Sequence, residues 1–348
     1  SNPFSPIPTF VPANTGPARY VFQLTADNGV LRTPPVTITL SLGEAGVVPV
    51  ASARIVDIGC ANGGLLAALQ AKGFSNVCGI DPSPACVEAT RKLSEGDAWV
   101  GTLASIPQEA GTFDGIILSH VMEHVRDLAG AMGLVHRLLN PGGWVYIEVP
   151  DASRYQEFLV APFQDFNTEH INHFSKTSLA NLCRQNCFLP EDGGAKMIYS
   201  SKDVPYPALF WFARKSLSPL QIVKDEALQG DLEKYIASSH ELMQRIDGNI
   251  ARLIAEYPEI IIWGTGQLTM KLLADTCLRT AGIVAFVDGN PINQGKLLRG
   301  TEVIAASEIN ARDIPILVCS RINEGSIMET IREQNLPNPV ATLLKGKV

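Results

Sequence analysis

The sequence lacks the features that mark membrane-spanning, disulfide-linked and nucleic-acid-binding proteins. None of its 348 residues belongs to an apolar run as long as the ~18 residues that a membrane-spanning helix needs. The seven cysteines are scattered and form no C-x-x-C pair, so they predict neither a disulfide framework nor a zinc knuckle. A net charge of −7 offers no basic surface for a nucleic acid. We expect a cytoplasmic protein with reduced thiols and small-molecule partners.

The composition predicts a well-packed globular chain. Hydrophobic residues make up 46% and charged residues 18%, and 348 residues suffice for two domains or more. Alternating apolar residues predict two strands before residue 50, with a hairpin turn at Asp27-Asn28-Gly29, and helical spacing runs over 218–256. We predict an extended, β-rich segment, a first α/β domain, a helical connector and a Rossmann-like domain over residues 1–50, 51–216, 217–257 and 258–348.

Residues 54–70 are the most informative stretch. An apolar strand ends in Asp57, a loop of small residues follows, and an alanine- and leucine-rich helix begins. Small loop residues let a ligand approach the backbone at the carboxyl end of the strand. About 24 residues on, a second apolar strand ends in Asp81, where an acid typically accepts hydrogen bonds from ribose hydroxyls. This order predicts a site for an adenosine-containing cofactor.

The acid within the first loop separates two kinds of cofactor. Dinucleotide sites use G-x-G-x-x-G to seat a pyrophosphate, which Asp57 would repel. A ligand with an amino group and a sulfonium suits it, and the loop resembles motif I of the class I S-adenosylmethionine-dependent methyltransferases. Residues 113–125 and 138–150 resemble the fourth and fifth strands of that fold, a doubly wound α/β sheet. The resemblance implies cofactor contacts at Asp57, Gly59, Cys60, Ala61, Gly63, Asp81, Pro82, Thr102, Leu103, Ser119 and His120.

Residues 166–175 indicate the acceptor side of the reaction. Glu169-His170 followed by Phe174-Ser175, with a later Rossmann-like domain, resembles the sugar C-methyltransferases of deoxysugar biosynthesis. The cysteines of that family's N-terminal zinc domain have no counterpart before Cys60. The resemblance implies a nucleotide-linked or polysaccharide-precursor sugar as acceptor and His170 as the base that deprotonates a carbon beside a ketone. Glu169 is expected to be catalytic together with His170, and substrate contacts are expected at Asp151, Asn167 and His173.

Several alternatives stay open at the level of sequence. Glu169 could bind a sugar hydroxyl, and His170 could be a structural residue at a helix start. The spacing His120-x-x-Glu123-His124 resembles a zinc pattern, but no third ligand is evident, so no metal is expected. An O-methyltransferase of the same fold, a nicotinamide oxidoreductase using the Gly264-x-Gly266 loop and a catalytically silent binding protein are the competing functions.

Overall fold

The computed structural model describes residues 19–24, 36–41, 51–94, 96–201, 204–310 and 313–347. The chain divides into two compact units. Unit 1 comprises Ser1–Phe158 and Thr168–Asp231, and unit 2 comprises Leu159–Asn167 and Leu232–Val348. The short segment Leu159–Asn167 therefore belongs to unit 2, although the chain on both sides of it belongs to unit 1.

Unit 1 is built around a seven-stranded sheet in the order β5-β4-β3-β6-β7-β9-β8. The first five strands run parallel, and β9 and β8 pair antiparallel at one side. This arrangement confirms the predicted doubly wound α/β class. The strands are β3 Ile55–Ile58, β4 Val77–Asp81, β5 Ala98–Val100, β6 Phe113–Ser119, β7 Leu139–Pro150, β8 Phe188–Ser201 and β9 Val204–Lys215.

Helices cover both faces of this sheet because its central strands are apolar on both sides. All four residues of β3 are buried, as expected for a parallel strand with helices on each face. One core cluster contains Val56 and Ile58, and the other contains Ile55 with Leu66 and Leu69 of the first helix. The helices are α1 Gly64–Ala71, α2 Pro84–Ser94, α3 Leu128–Leu138 and α4 Lys176–Gln185. Because the strands run parallel, the carboxyl ends of β3, β4, β6 and β7 lie at the same edge of the sheet.

The β-rich N-terminal segment contains the two predicted strands, β1 Arg19–Leu24 and β2 Val36–Ser41. They pair antiparallel from Arg19 opposite Ser41 to Leu24 opposite Val36. The predicted turn at Asp27-Asn28-Gly29 lies outside the described residues.

Unit 2 contains a second, smaller sheet in the order β12-β13-β11-β10-β14-β15-β16. Its central strands β13, β11, β10, β14 and β15 run parallel. The elements are α5 Leu228–Glu256, β10 Glu259–Trp263, α6 Gln267–Asp275, β11 Gly282–Val287, β12 Leu297–Leu298, β13 Thr301–Ile304, β14 Ile316–Val318, α7 Glu324–Glu333, β15 Val340–Thr342 and β16 Gly346–Lys347. The first residues of α5 belong to unit 1, since the division falls between Asp231 and Leu232.

The helix predicted over 218–256 is shorter than its apolar spacing suggested. Residues 218–227 form no helix, and α5 begins at Leu228. The Asp225 carboxylate accepts hydrogen bonds from the backbone N–H groups of Ala227 and Leu228, at 3.3 and 3.2 Å. Such a side chain satisfies donors that a helix start leaves without partners, so it defines where the helix begins. Across the described ranges, no helix is both long and apolar enough to cross a membrane.

Candidate active site

The loop between β3 and α1 leaves its backbone open to a ligand. Gly59 and Gly63 have φ values of 83° and 78°, a conformation that favours glycine. A Cβ at Gly59 would lie 2.9 Å from Cγ2 of Val121, and one at Gly63 would lie 2.8 Å from Cα of Thr90. Gly59 and Ala61 are exposed at the carboxyl edge of the sheet. Side chains at the two glycines would therefore fill or distort a cradle that the backbone now lines.

Asp81, at the end of β4, joins this loop to the next one. Its Oδ2 accepts a hydrogen bond from the N–H of Ala61 at 2.9 Å, and its Oδ1 accepts one from the N–H of Ser83 at 2.8 Å. An ionised carboxylate has about four acceptor positions, so two are left for a ribose diol. Asp81 thus orders the loop and keeps the hydrogen-bonding capacity that its predicted role requires.

Asp57 is a buried acid with an altered proton affinity. Burial, together with the nearby charges of Asp81 and Glu148, raises the pKa of Asp57 from 3.8 to about 7. An approaching cation favours the ionised form and offsets this effect. The edge of the sheet is therefore suited to a positively charged ligand such as a sulfonium carrying an amino group.

The other predicted cofactor residues occupy different surroundings. Cys60 is buried with its Sγ 3.6 Å from Oγ1 of Thr90, so only its backbone belongs to the loop surface. The hydroxyl of Thr102 is exposed and bonds to that of Ser105 at 2.9 Å, while Leu103 is buried. Pro82 is exposed after β4, and Ser119 and His120 stand at the end of β6. The open loop and the acids at the strand ends fit S-adenosylmethionine.

His120 lies between two buried carboxylates. Its Nδ1 is 3.1 Å from Oε1 of Glu123, and its Nε2 is 3.3 Å from Oε1 of Glu148. Burial alone would lower the pKa of His120, but these two acids raise it to about 9. The residue also has a φ of 55°, which is uncommon for a residue with a side chain. His120 is consequently a cation at neutral pH, held rigidly at the edge of the sheet.

Glu148 and Lys196 extend the charge network around His120, and neither residue was predicted from the sequence to belong to the site. The carboxylate of Glu148 pairs with the ammonium of Lys196 and accepts a hydrogen bond from the hydroxyl of Tyr146 at 2.6 Å. Burial would raise the pKa of Glu148, yet His120 and Lys196 hold it at about 2. A glutamate inside the apolar run of β7 is the signal that could have indicated a buried charge network.

The segment that carries His170 is attached to the turn after β6 by hydrogen bonds at several points. The N–H groups of Ile171 and Asn172 donate to the carbonyl oxygen of Glu123 at 2.9 and 3.1 Å. The side-chain amide of Asn172 donates to the carbonyls of Met122 and Val125 at 3.1 and 2.6 Å. We call residues 169–172 the clamped segment. Helix α4 begins only at Lys176 with Ser175 as its cap, so His170 is not at a helix start.

The clamped segment brings His170 next to Glu123 and His124. The rings of His124 and His170 meet edge to face with centroids 5.0 Å apart. Burial is the main cause that lowers the pKa of His170, so its ring is neutral at physiological pH. The Nδ1 of His124 lies 2.9 Å from the carbonyl oxygen of Glu169. His124 belongs to a short 3₁₀ turn, Met122–His124, and its side chain is well exposed.

The three predicted acceptor contacts differ in their surroundings. Asp151 is buried, and its Oδ1 accepts hydrogen bonds from the N–H and hydroxyl of Ser153 at 3.2 and 2.5 Å. His173 has its Nδ1 3.3 Å from the hydroxyl of Tyr155. Asn167 is the last residue of a unit 2 segment. Contacts of all three with an acceptor stay predictions.

Part of the chain is similar to known methyltransferases. Residues 38–188 match a family model described as a methyltransferase domain. The ubiquinone biosynthesis O-methyltransferase of Methylocella silvestris is 36% identical over 103 residues, which cover 28% of this chain and 40% of that protein. Its counterpart in Pseudomonas aeruginosa is 35% identical over 28% of this chain and 44% of that protein. A SAM-dependent methyltransferase structure from Methanosarcina mazei has a TM-score of 0.40 at 18% identity, covering 48% of this chain and 94% of that one.

The chain thus spans less than half the length of the curated relatives that it matches. The family-model match over residues 38–188 indicates a methyltransferase domain, a kind of enzyme domain whose cofactor is S-adenosylmethionine. The matched range includes the β3–α1 loop, Asp81 and the turn at Met122–His124. Apart from Lys196, the site residues described above therefore lie within the region that the family model matches.

Proposed function

We propose that this chain transfers a methyl group from S-adenosylmethionine to a small polar acceptor at the carboxyl edge of the unit 1 sheet. The observation that carries the proposal is the juxtaposition, at this edge, of an open loop with Asp57 and Asp81 and a group of three histidines, His120, His124 and His170. When bound, the cofactor supplies a methyl group on a sulfonium cation. The residues around it bind and orient the two reactants, and such positioning can be worth roughly 7–11 kcal/mol.

The acceptor that we propose is a nucleotide-linked or polysaccharide-precursor sugar methylated at carbon. Carbon methylation needs a base and a group that stabilises the enolate oxygen. His170 supports the first role because its lowered pKa keeps the ring neutral. His120 supports the second only as a positive charge near the site, because both of its ring nitrogens face carboxylates. Glu169 is adjacent to His170 and is proposed to bind an acceptor hydroxyl or to assist the base.

A screen of sugar nucleotides with methyl-labelled S-adenosylmethionine tests this proposal. We expect label to enter one class of sugar nucleotide, and NMR of the product to show a new carbon–methyl bond. His170→Ala should leave cofactor affinity unchanged in calorimetry and reduce turnover by at least about 100-fold, the lower range of a general-base contribution. Unchanged turnover in that variant would contradict the base assignment. His136→Ala, a histidine outside the group of three, is the matched control.

Oxygen methylation is the second candidate, and the names of the relatives favour it. The relatives in Methylocella silvestris and Pseudomonas aeruginosa are both O-methyltransferases. A hydroxyl acceptor needs a base but no enolate stabiliser, so the same site would serve with His120 in a purely structural role. NMR of the methylated product separates the two candidates directly, because a methyl ether and a methyl-substituted carbon give distinct spectra.

Unit 2 and the cellular location complete the proposal. A nicotinamide site at Gly264 would need the third glycine that the loop lacks, so we propose no nicotinamide cofactor for unit 2. All seven cysteines lie in the described part of the chain and are free thiols. This supports, as a proposal, a reducing compartment such as the cytoplasm.

A further inference from the structure

We infer that Glu123, His124 and His170 form a binding site for one divalent transition-metal ion. One potential ligand atom from each residue lies within 4.8 Å of the other two. Tetrahedral zinc places its ligand atoms about 3.3 Å apart, at metal distances of about 2.0–2.2 Å. Movements of the side-chain atoms by about 1–2 Å would therefore bring the three ligand atoms to coordination distance from one ion. Methyl transfer from S-adenosylmethionine does not itself require three such ligand atoms to lie together.

The hydrogen bond of His124 leaves the ligand nitrogen in the right form. A carbonyl oxygen can only accept, so the contact between Nδ1 of His124 and the oxygen of Glu169 makes Nδ1 the protonated nitrogen. The lone pair of the neutral ring then belongs to Nε2, which lies 3.9 Å from Oε1 of Glu123. Histidine ligands of metals usually donate their second nitrogen to a carbonyl or carboxylate in this way. The backbone of Glu169 thus orients His124 for a ligand.

Glu123 supplies a buried charge with spare coordination capacity. Its side chain is 1% exposed, and within the described ranges its Oε2 has no hydrogen-bond partner. Its Oε1 is held by His120 at 3.1 Å, which fixes the direction of the carboxylate. A buried carboxylate oxygen without a donor is unfavourable unless a cation or another donor reaches it. An ion at this point would satisfy that oxygen.

The clamped segment makes the three ligands a preorganised set. Glu123 and His124 are neighbours in one 3₁₀ turn, and His170 is brought to them by the hydrogen bonds of Ile171 and Asn172 to the carbonyl of Glu123. Two imidazoles and one carboxylate suit Zn²⁺, Co²⁺, Mn²⁺ or Fe²⁺ better than Ca²⁺ or Mg²⁺, which prefer oxygen ligands. Three protein ligands leave a coordination position for water or an acceptor oxygen.

Titration of the metal-free chain with Zn²⁺ in competition with a chromophoric chelator tests the inference, with Co²⁺ absorption as a second readout. We expect one ion per chain and a Co²⁺ spectrum typical of nitrogen and oxygen ligands. Glu123→Gln, His170→Asn and His124→Asn should each weaken binding by more than about 100-fold, beyond the 10–100-fold effect of second-shell changes. Asparagine at 124 can keep the hydrogen bond to Glu169 while it removes Nε2.

His136→Asn is the matched control and should bind the ion as the unmodified chain does. Thermal unfolding of each variant shows that it is folded before the titration is interpreted. A chain that binds no Zn²⁺ at micromolar concentrations, or binds it equally well in the three ligand variants, would overturn the inference. Sulfur-type Co²⁺ spectra, which would place the ion on a cysteine, would overturn it too.

The inferred ion site and the proposed methyl transfer can be contradicted independently, because different measurements test them. Cofactor binding depends on Asp57 and Asp81 and is measured by calorimetry without metal, whereas ion binding is measured without cofactor. An ion on His170 would occupy the lone pair that the carbon mechanism uses. The turnover test of His170→Ala is therefore done on chelator-treated enzyme, so that loss of a base is not confused with loss of an ion.

Discussion

The two units have related α/β topology and a glycine loop after a central strand, yet their carboxyl edges differ in buried charge. In unit 1, Asp57 is buried two residues before Gly59. The corresponding position in unit 2, two residues before Gly264, is the fully buried Ile262. Unit 2 therefore has an apolar side chain at the position where unit 1 has the carboxylate of Asp57.

The acids that end the following strands also differ. Among the described residues, Asp81 accepts hydrogen bonds only from the backbone N–H groups of Ala61 and Ser83. Asp288 accepts hydrogen bonds from the hydroxyl of Thr265, the side-chain amide of Asn293 at 3.2 Å and the N–H of Asn290 at 2.8 Å. Side chains of unit 2 itself thus engage its acid. A shared strand–loop–helix–strand order predicts the fold of both units, and the buried acids are the feature from which we predict cofactor binding in unit 1 alone.

Replacing the acid of each unit in turn gives the largest expected effect. Asp81→Ala should weaken S-adenosylmethionine binding by more than about 100-fold, because two hydrogen bonds to a charged acceptor contribute roughly 1.5–3 kcal/mol each. Asp288→Ala is the matched variant in unit 2 and should leave cofactor affinity within about twofold of the unmodified chain. Isothermal titration calorimetry measures both. Equal losses in the two variants would remove the distinction between the units.

The buried charge network of unit 1 can be compared with a partly buried lysine of unit 2. Lys196→Met removes one of the two cations that face the carboxylate of Glu148, His120 being the other, and should destabilise the protein by up to about 3–5 kcal/mol, the usual result of breaking a buried pair. Lys271 of unit 2 donates to the backbone carbonyls of Phe163 and Phe166, so Lys271→Met removes hydrogen bonds to uncharged acceptors and should cost less. Urea unfolding measures the difference.

A double variant checks the cause of that loss. Adding Glu148→Gln to Lys196→Met removes the carboxylate charge that has lost its lysine partner and should recover part of the stability. If the double variant were no more stable than Lys196→Met alone, lost packing rather than an unpaired charge would explain the effect.

Local features of the site were predictable from sequence, and long-range ones were not. Asp57 and Asp81 follow from a strand–loop–helix–strand pattern within 25 or so residues, in which each strand ends at the same edge. Lys196 reaches Glu148 across 48 positions through antiparallel pairing of β8 and β9 at the side of a parallel sheet. That pairing cannot be inferred from the periodicity of either strand, since period-two spacing identifies strands but not their partners.

The third potential metal ligand shows the same limit. The spacing of Glu123 and His124 was visible in the sequence, but His170 joins them through the hydrogen bonds of the clamped segment, two of which go to the carbonyl oxygen of Glu123. A backbone-to-backbone contact leaves no trace in side-chain pattern. The start of α5 was placed too early for a related reason, because apolar spacing continues through residues 218–227 while Asp225 starts the helix at Leu228.

The smallest expected effect is a pH dependence that unit 1 has and unit 2 lacks. Because the pKa of Asp57 is raised to about 7, S-adenosylmethionine affinity should fall about tenfold per pH unit below 7, as the carboxyl becomes protonated. Asp57→Asn should bind more weakly at pH 8 and lose most of this dependence. The pH dependence of affinity that remains in Asp57→Asn should come from the amino group of S-adenosylmethionine itself, whose ordinary pKa is about 7.7–8.0.

The stability of the cofactor-free protein should depend on pH in the opposite direction to cofactor affinity, falling as the pH rises. A carboxyl whose pKa is raised on folding stabilises the protonated folded state, and this contribution is lost as pH rises from the unfolded value of 3.8 through about 7. Asp57→Asn should therefore raise the melting temperature of the cofactor-free protein more at pH 8 than at pH 5. Ile262→Val, at the equivalent position of unit 2, should lower it equally at both. A pH-independent gain in Asp57→Asn would show that the acid is ionised throughout this range, and the charge that separates the two units would then need another explanation.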